Sequence, residues 1–185
     1  MKTDEKPRAR PESHGPVDKN FTPSLQHFQK DIERFLKSEG QCEKNEHGQT
    51  VYRGYQAAVP RMFRAYIEKK AFVPLVAEFR TWNWEWGYND YLMELTDCLR
   101  EAGQWPLLKE LWAGVIAKRR TNYNKTKKAE RALPDRIPED LVTKTRELLL
   151  ESLYRLRGYA VEQQQESDVR EYLAMIARVE KRITA

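Results

Sequence analysis

The sequence predicts an all-α protein of six or seven helices arranged as antiparallel hairpins, and three observations carry that prediction. Apolar residues recur at spacings of three and four along most of the chain, which lays them on one stripe of a helix. Glycine and proline interrupt those stripes where helices stop, as at Gly87, Gly103 and Pro134. Charged residues make up 33% of the 185-residue chain, beside 40% hydrophobic and 11% aromatic. That balance fits a globular core wrapped in long solvated helix faces.

Residues 1–23 carry Pro7, Pro11 and Pro16, mixed charge and almost no apolar side chains. They bury too little to offset their ordering entropy, so a flexible tail is expected ahead of a single helical domain over residues 24–185. Ser24 is placed to cap a first amphipathic helix whose stripe is Leu25, Phe28, Ile32, Phe35 and Leu36, ending at Gly40. Gln41 to Gln49 is polar and reads as a loop. A longer helix is expected from Thr50 through Val51, Tyr52, Tyr55, Val59, Met62, Phe63, Tyr66 and Ile67. Pro60 removes a backbone hydrogen bond and crowds the preceding turn, which predicts a break near Ala57 to Pro60.

All five tryptophans fall between Ala71 and Lys118, in a stretch that doubles back twice. Phe72, Leu75, Val76, Phe79, Trp82 and Trp86 make one stripe, stopped by Gly87. Tyr88, Tyr91, Leu92, Leu95, Leu99 and Ala102 make the next, stopped by Gly103. A third begins at Gln104-Trp105-Pro106, with proline tolerated in a first turn, and runs through Leu107, Leu108, Leu111, Trp112, Val115 and Ile116 into the basic residues beyond. Pro134 ends it. Pro138, Glu139 and Asp140 then open a helix with apolar positions Leu141, Leu148, Leu149, Leu153, Leu156 and Tyr159. After a polar break at Gln163 to Ser167, Asp168 with Glu171 has the form of a capping box, with Ser167 as the other candidate cap. The last helix carries Val169, Tyr172, Leu173, Ile176 and Ile183 and is expected to pack antiparallel on its predecessor.

A shift of 32 residues places Phe63 on Leu95, Ile67 on Leu99, Pro74 on Pro106, Glu78 on Glu110 and Phe79 on Leu111. With Gly103-Gln104-Trp105 at a helix turn, Leu95 and Leu99 before it and Trp112 after it, residues 60–120 resemble a tetratricopeptide-type repeat. The resemblance implies a loosely solenoid-like stack of hairpins. The chain departs from that family's pattern at Thr96, Leu108, Val115 and Arg120, where glycine, alanine, alanine and proline are preferred.

No apolar run approaches the roughly 20 residues that span a bilayer, and the first 24 residues lack the apolar core of a secretory signal. A cytoplasmic protein with no membrane partner is expected. Cys42 and Cys98 stand apart without a Cys-x-x-Cys pair, and Cys42 with His47 is at most half a metal site. Phosphate loops, nucleophile elbows and paired-histidine motifs do not occur in the sequence. The expectation is therefore a protein that is no enzyme and takes no cofactor or metal.

The net charge of +5 is concentrated rather than spread. Residues 111–136 hold eight basic and two acidic side chains, while the remainder of the chain is nearly balanced. Two readings follow. The first is a non-catalytic protein-protein interaction module or adaptor, anchoring a protein or peptide partner, acidic in character, on Trp84, Trp86 and Tyr88 beside the basic rim. The tryptophans filling the core is the bland counterpart. The alternative is a nucleic-acid-binding accessory protein that grips phosphates with the basic segment 118–131, through Lys118, Arg119, Arg120, Lys125, Lys127 and Lys128, and stacks Tyr123 on an unpaired base. A solvated helix end is the bland counterpart here. The nucleic-acid reading requires the cations on one exposed surface.

Overall fold

The computed structural model describes residues 21–23, 27–82, 90–138 and 140–181. Among them the all-α expectation holds, with seven α-helices and one short β-hairpin. The first helix, α1 (Phe28–Ser38), starts later than its stripe suggests, and Ser24 and Leu25 lie outside the described residues. Phe21, assigned to the tail from sequence, packs its ring 5.9 Å from that of Tyr66.

The polar stretch after α1 is a hairpin rather than a loop. Strands β1 (Cys42–Lys44) and β2 (Thr50–Tyr52) pair antiparallel, with Cys42 opposite Tyr52 and Lys44 opposite Thr50. Asn45 closes the turn, its side-chain oxygen accepting from the backbone N–H groups of His47 (3.0 Å) and Gln49 (2.9 Å). The helix expected from Thr50 therefore begins only at Tyr55, as α2 (Tyr55–Glu68). It runs through Pro60 without a break. The amide that Pro60 lacks would have bonded the carbonyl of Gln56, an exposed residue, so the missing bond falls on the solvent side of the helix, where it costs least.

Helix α3 (Phe72–Phe79) also differs from expectation, for it stops before Trp82. Thr81 N–H bonds Glu78 O and Trp82 N–H bonds Phe79 O, three residues back, which tightens and terminates the turn. Next come α4 (Asp90–Glu101) and α5 (Trp105–Ala132), a 28-residue helix with Pro106 in its first turn. A 3₁₀ turn (Pro134–Arg136) leads to α6 (Leu141–Glu162), and α7 (Glu166–Glu180) returns along it. The capping box predicted at Asp168 is not made: α7 begins at Glu166, its N-cap Gln165 makes no side-chain cap bond, and Asp168 is engaged elsewhere. Ile183 lies outside the described residues.

Three hairpins, α2–α3, α4–α5 and α6–α7, share one turn. Each is three residues long with a left-handed central residue, Lys70 (φ 53°), Gly103 (φ 63°) and Gln164 (φ 55°). In each, the next residue donates to the carbonyl five positions back: Ala71 to Tyr66, Gln104 to Leu99 and Gln165 to Ala160. Equivalent turn positions in the first two hairpins are thus 33 residues apart, where side-chain matching had suggested 32.

One contiguous core joins the hairpins. Helix α5 packs against α3, α4 and α6, meeting α6 from Trp112, whose ring lies 5.7 Å from that of Tyr159, to Arg119, so this helix is common to both ends of the molecule. Trp112 lies fully inside and donates 3.1 Å to Thr96 Oγ1. Arg100 joins α4 to α6 through Glu162 (2.7 Å) and lies over the Tyr159 ring. Asp168 fastens α7 to the start of α5, accepting from Trp105 Nε1 (3.1 Å) and pairing with Lys109.

Candidate functional site

The basic segment is the second half of α5, and its periodicity decides which cations reach solvent. The core stripe Leu108, Leu111, Trp112, Val115 and Ile116 continues at the same spacing into Arg119, Asn122, Tyr123 and Thr126, all of them buried. Two members of the sequence-predicted set are therefore removed from it. Arg119, 1% exposed, sends Nη1 into α6, where it donates to Leu148 O (2.8 Å) and Ser152 Oγ (3.0 Å). Tyr123, 4% exposed, cannot present its ring to a base. The helix period buries them because they stand three and seven residues beyond Ile116, on the face that meets α6.

The remaining cations face outward. Lys118, Arg120, Lys125, Lys128 and Arg131 are exposed and Lys127 half-buried. Among the described residues none of the six has an acid within salt-bridge distance. On a helix of 3.6 residues per turn they form two rows, Arg120, Lys127 and Arg131 on one flank, Lys118, Lys125 and Lys128 on the other, over roughly 20 Å of axis.

Arg120, of the first row, borders a groove between α5 and α7 with a volume of about 430 Å³. Leu149 of α6 and Ala174, Met175 and Val179 of α7 provide its apolar surface, and Arg120, Asn124 and Arg178 its polar rim, with Glu171 the one acid. Arg178 was not marked from sequence. Its signal is faint, since a lone arginine on an amphipathic helix gains meaning only when α7 is known to run beside α5. Beneath this region Tyr172 is buried with its hydroxyl lacking a partner among the described residues. Burial, then the nearby Asp168 and Glu171 carboxylates, push its phenol well above the usual tyrosine range.

The aromatic anchors named from sequence, Trp84, Trp86 and Tyr88, lie outside the described residues. Their described neighbour Trp82 is half-buried, with its ring 4.4 Å from that of Phe79 and Nε1 donating 3.2 Å to Glu78 Oε1. Both cysteines are reduced and half-buried, and Cys98 has its thiol pushed up by burial, then by Glu94, Glu101 and Asp97. Among the described residues no three His, Cys, Asp or Glu side chains converge as metal ligands, and no helix is long and apolar enough to cross a membrane.

The fold and this surface together define an all-α hairpin protein with an acid-free cationic helix face. Compared with known proteins, the chain matches no family model, no curated sequence and no solved structure.

Proposed function

We propose that the protein is a non-catalytic interaction module that seats an acidic segment of a protein partner in the groove between α5 and α7. The observation that carries this reading is the pairing of an apolar floor, Leu149, Met175 and Val179, with a rim of two arginines, Arg120 and Arg178, that have no acidic partner among the described residues. An amphipathic helix with one apolar stripe and flanking glutamates complements both features at once, and guanidinium forks suit carboxylates geometrically.

Fluorescence anisotropy with a labelled helix-forming peptide bearing Leu on one face and Glu on its flanks tests this. Saturable binding, lost by more than about tenfold in Arg120→Glu/Arg178→Glu, is the expected result. Equal binding of a peptide with Lys in place of Glu, or an unchanged affinity in the variant, overturns it. Both substitutions are at exposed positions, so the fold is retained.

The outer row, Lys118, Lys125 and Lys128, supports a second reading, because it points away from the groove and is also acid-free. These lysines suit a phosphate backbone, and with Tyr123 buried no base stacking accompanies them. Oligonucleotide binding that falls steeply with salt and disappears in Lys118→Glu/Lys125→Glu/Lys128→Glu would place this reading first.

A further inference from the structure

At the opposite end of the molecule, α1, α2, α3 and α4 border a second, open cavity of about 420 Å³. Its lining is mixed, with more polar than apolar surface: Phe28 and Ile32 from α1, Tyr55 and Val59 from α2, Trp82 just after α3 and Tyr91 from α4 contribute aromatic and aliphatic groups. Glu78 supplies a carboxylate, and Gln29 and Gln56 complete the lining. Among the described residues no lysine, arginine or histidine lines it, in a chain with 33 lysines and arginines.

The aromatic walls are held in place from behind. The Trp82 ring rests 4.4 Å from Phe79 and the Tyr91 ring 5.0 Å from Phe63, while Phe63 and Phe79 meet edge to face at 5.9 Å. Phe63 and Phe79 are each 1% exposed, so they hold the cage rings in one arrangement. The carboxylate is likewise oriented: Glu78 Oε1 accepts from Gln29 Nε2 (2.8 Å) and Trp82 Nε1 (3.2 Å). Among the described residues no cation is paired with Glu78. Burial first, then the Glu78 and Glu33 carboxylates, push the Tyr55 phenol above its ordinary range.

We infer that this cavity is a binding site for an alkylated ammonium cation, held between the faces of Tyr55, Trp82 and Tyr91 and neutralised by Glu78. Ring faces carry negative quadrupole charge and attract ammonium groups whose alkyl substituents shed water readily. Apolar Phe28, Ile32 and Val59 meet the methyl groups, and one fixed carboxylate supplies the counter-charge. Among the described residues a metal ion finds one carboxylate here, too few hard oxygen ligands for Mg²⁺ or Ca²⁺, and an anion meets no donor cation. An alkylammonium satisfies every wall of the site, whether it is a free small molecule or the head of a methylated lysine on a peptide.

The test is calorimetric titration of the full chain with tetramethylammonium and choline, beside 3,3-dimethylbutan-1-ol, the neutral isostere of choline. Saturable choline binding at least about tenfold tighter than the neutral isostere is expected, with a loss of about tenfold in Glu78→Gln and in Tyr91→Leu. Circular dichroism establishes that each variant is folded. Equal affinity for choline and its isostere, or no saturable heat with either cation in folded protein, overturns the site. A trimethyllysine peptide in the same titration assigns the source: tighter binding than choline supports a site for a modified peptide, and weaker binding supports one for a free cation.

Discussion

Replacing Arg119 separates the two ways in which a buried guanidinium can matter. Arg119→Ala deletes two stem methylenes beyond Cβ, worth about 0.8 kcal/mol each when buried. It also deletes the hydrogen bonds to Leu148 O and Ser152 Oγ, a loss of about 3 kcal/mol that removal of the buried charge's desolvation cost offsets. The void left between α5 and α6 adds to the stem loss, so a total loss of about 3 kcal/mol is expected. Arg119→Met keeps the stem and most of the volume and abolishes the desolvation cost of the charge. The acceptors are not orphaned, because Ser152 Oγ already donates to Leu148 O at 2.9 Å. The methionine variant should therefore lie within about 1 kcal/mol of the parent. Urea unfolding followed by circular dichroism measures both. With a slope of about 2 kcal/mol per molar, Arg119→Ala should lower the midpoint by about 1.5 M while Arg119→Met barely moves it. A methionine variant as unstable as the alanine one would refute the reasoning, since it would assign the loss to the hydrogen bonds and not to packing.

Three further perturbations probe other contacts. Tyr172→Phe removes a buried hydroxyl with no partner among the described residues and should raise stability by about 1 kcal/mol in the same urea assay. Because burial first, then Asp168 and Glu171, raise the folded Tyr172 phenol above its unfolded value of 10.0, its stabilising share is complete below about pH 10 and is lost as pH climbs toward the folded value. Melts at pH 9 and pH 11 should accordingly show a smaller drop in Tyr172→Phe than in the parent. Asp168→Ala releases Trp105 Nε1 and Lys109 and should cost about 2 kcal/mol, with hydrogen exchange quickening in α7; unchanged exchange there would count against the role given to Asp168. Gly103→Ala should cost about 1 kcal/mol purely through its left-handed backbone, since an added Cβ meets nothing within 4 Å. Lys70→Gly, at the matching turn, should gain about 0.5–1 kcal/mol, and thermal melts give both signs.

The helices were legible where local chemistry and the packed face agree. Gly103 before Trp105-Pro106 and Pro134 after a long stripe marked both ends of α5, since each acts through its own backbone. Strands β1 and β2 were not legible, because three residues each, Cys-Glu-Lys and Thr-Val-Tyr, give no alternation to read and only Asn45 and Gly48 signal the turn. Pro60 misled because its cost depends on whether Gln56 O reaches water, a property of the assembled surface. The basic segment hid a core face: Arg119, Asn122, Tyr123 and Thr126 keep the helical period of the apolar stripe while changing its chemistry, so counting charge overrode counting spacing. Extending the period past Ile116 regardless of polarity would have removed Arg119 from the surface set. The α5–α7 groove and the aromatic cavity unite residues more than 50 positions apart, Arg120 with Arg178 and Phe28 with Tyr91, and no local pattern reports such meetings.

The recurring three-residue turn also bears on how the chain reaches this arrangement. Two helices joined by so few residues meet with little loss of chain entropy, and the α2–α3, α4–α5 and α6–α7 contacts are all of that kind. Most pairing in the molecule is thus between sequence neighbours, which places it among fast-folding topologies. The search is longer where Arg100 reaches Glu162 and Trp105 reaches Asp168, and where α3 finds α5 across α4. Substitutions at that junction, such as Gly114, whose added Cβ would come 3.0 Å from Arg80 Cγ, should slow folding or hasten unfolding according to whether the junction closes before or after the rate-limiting step.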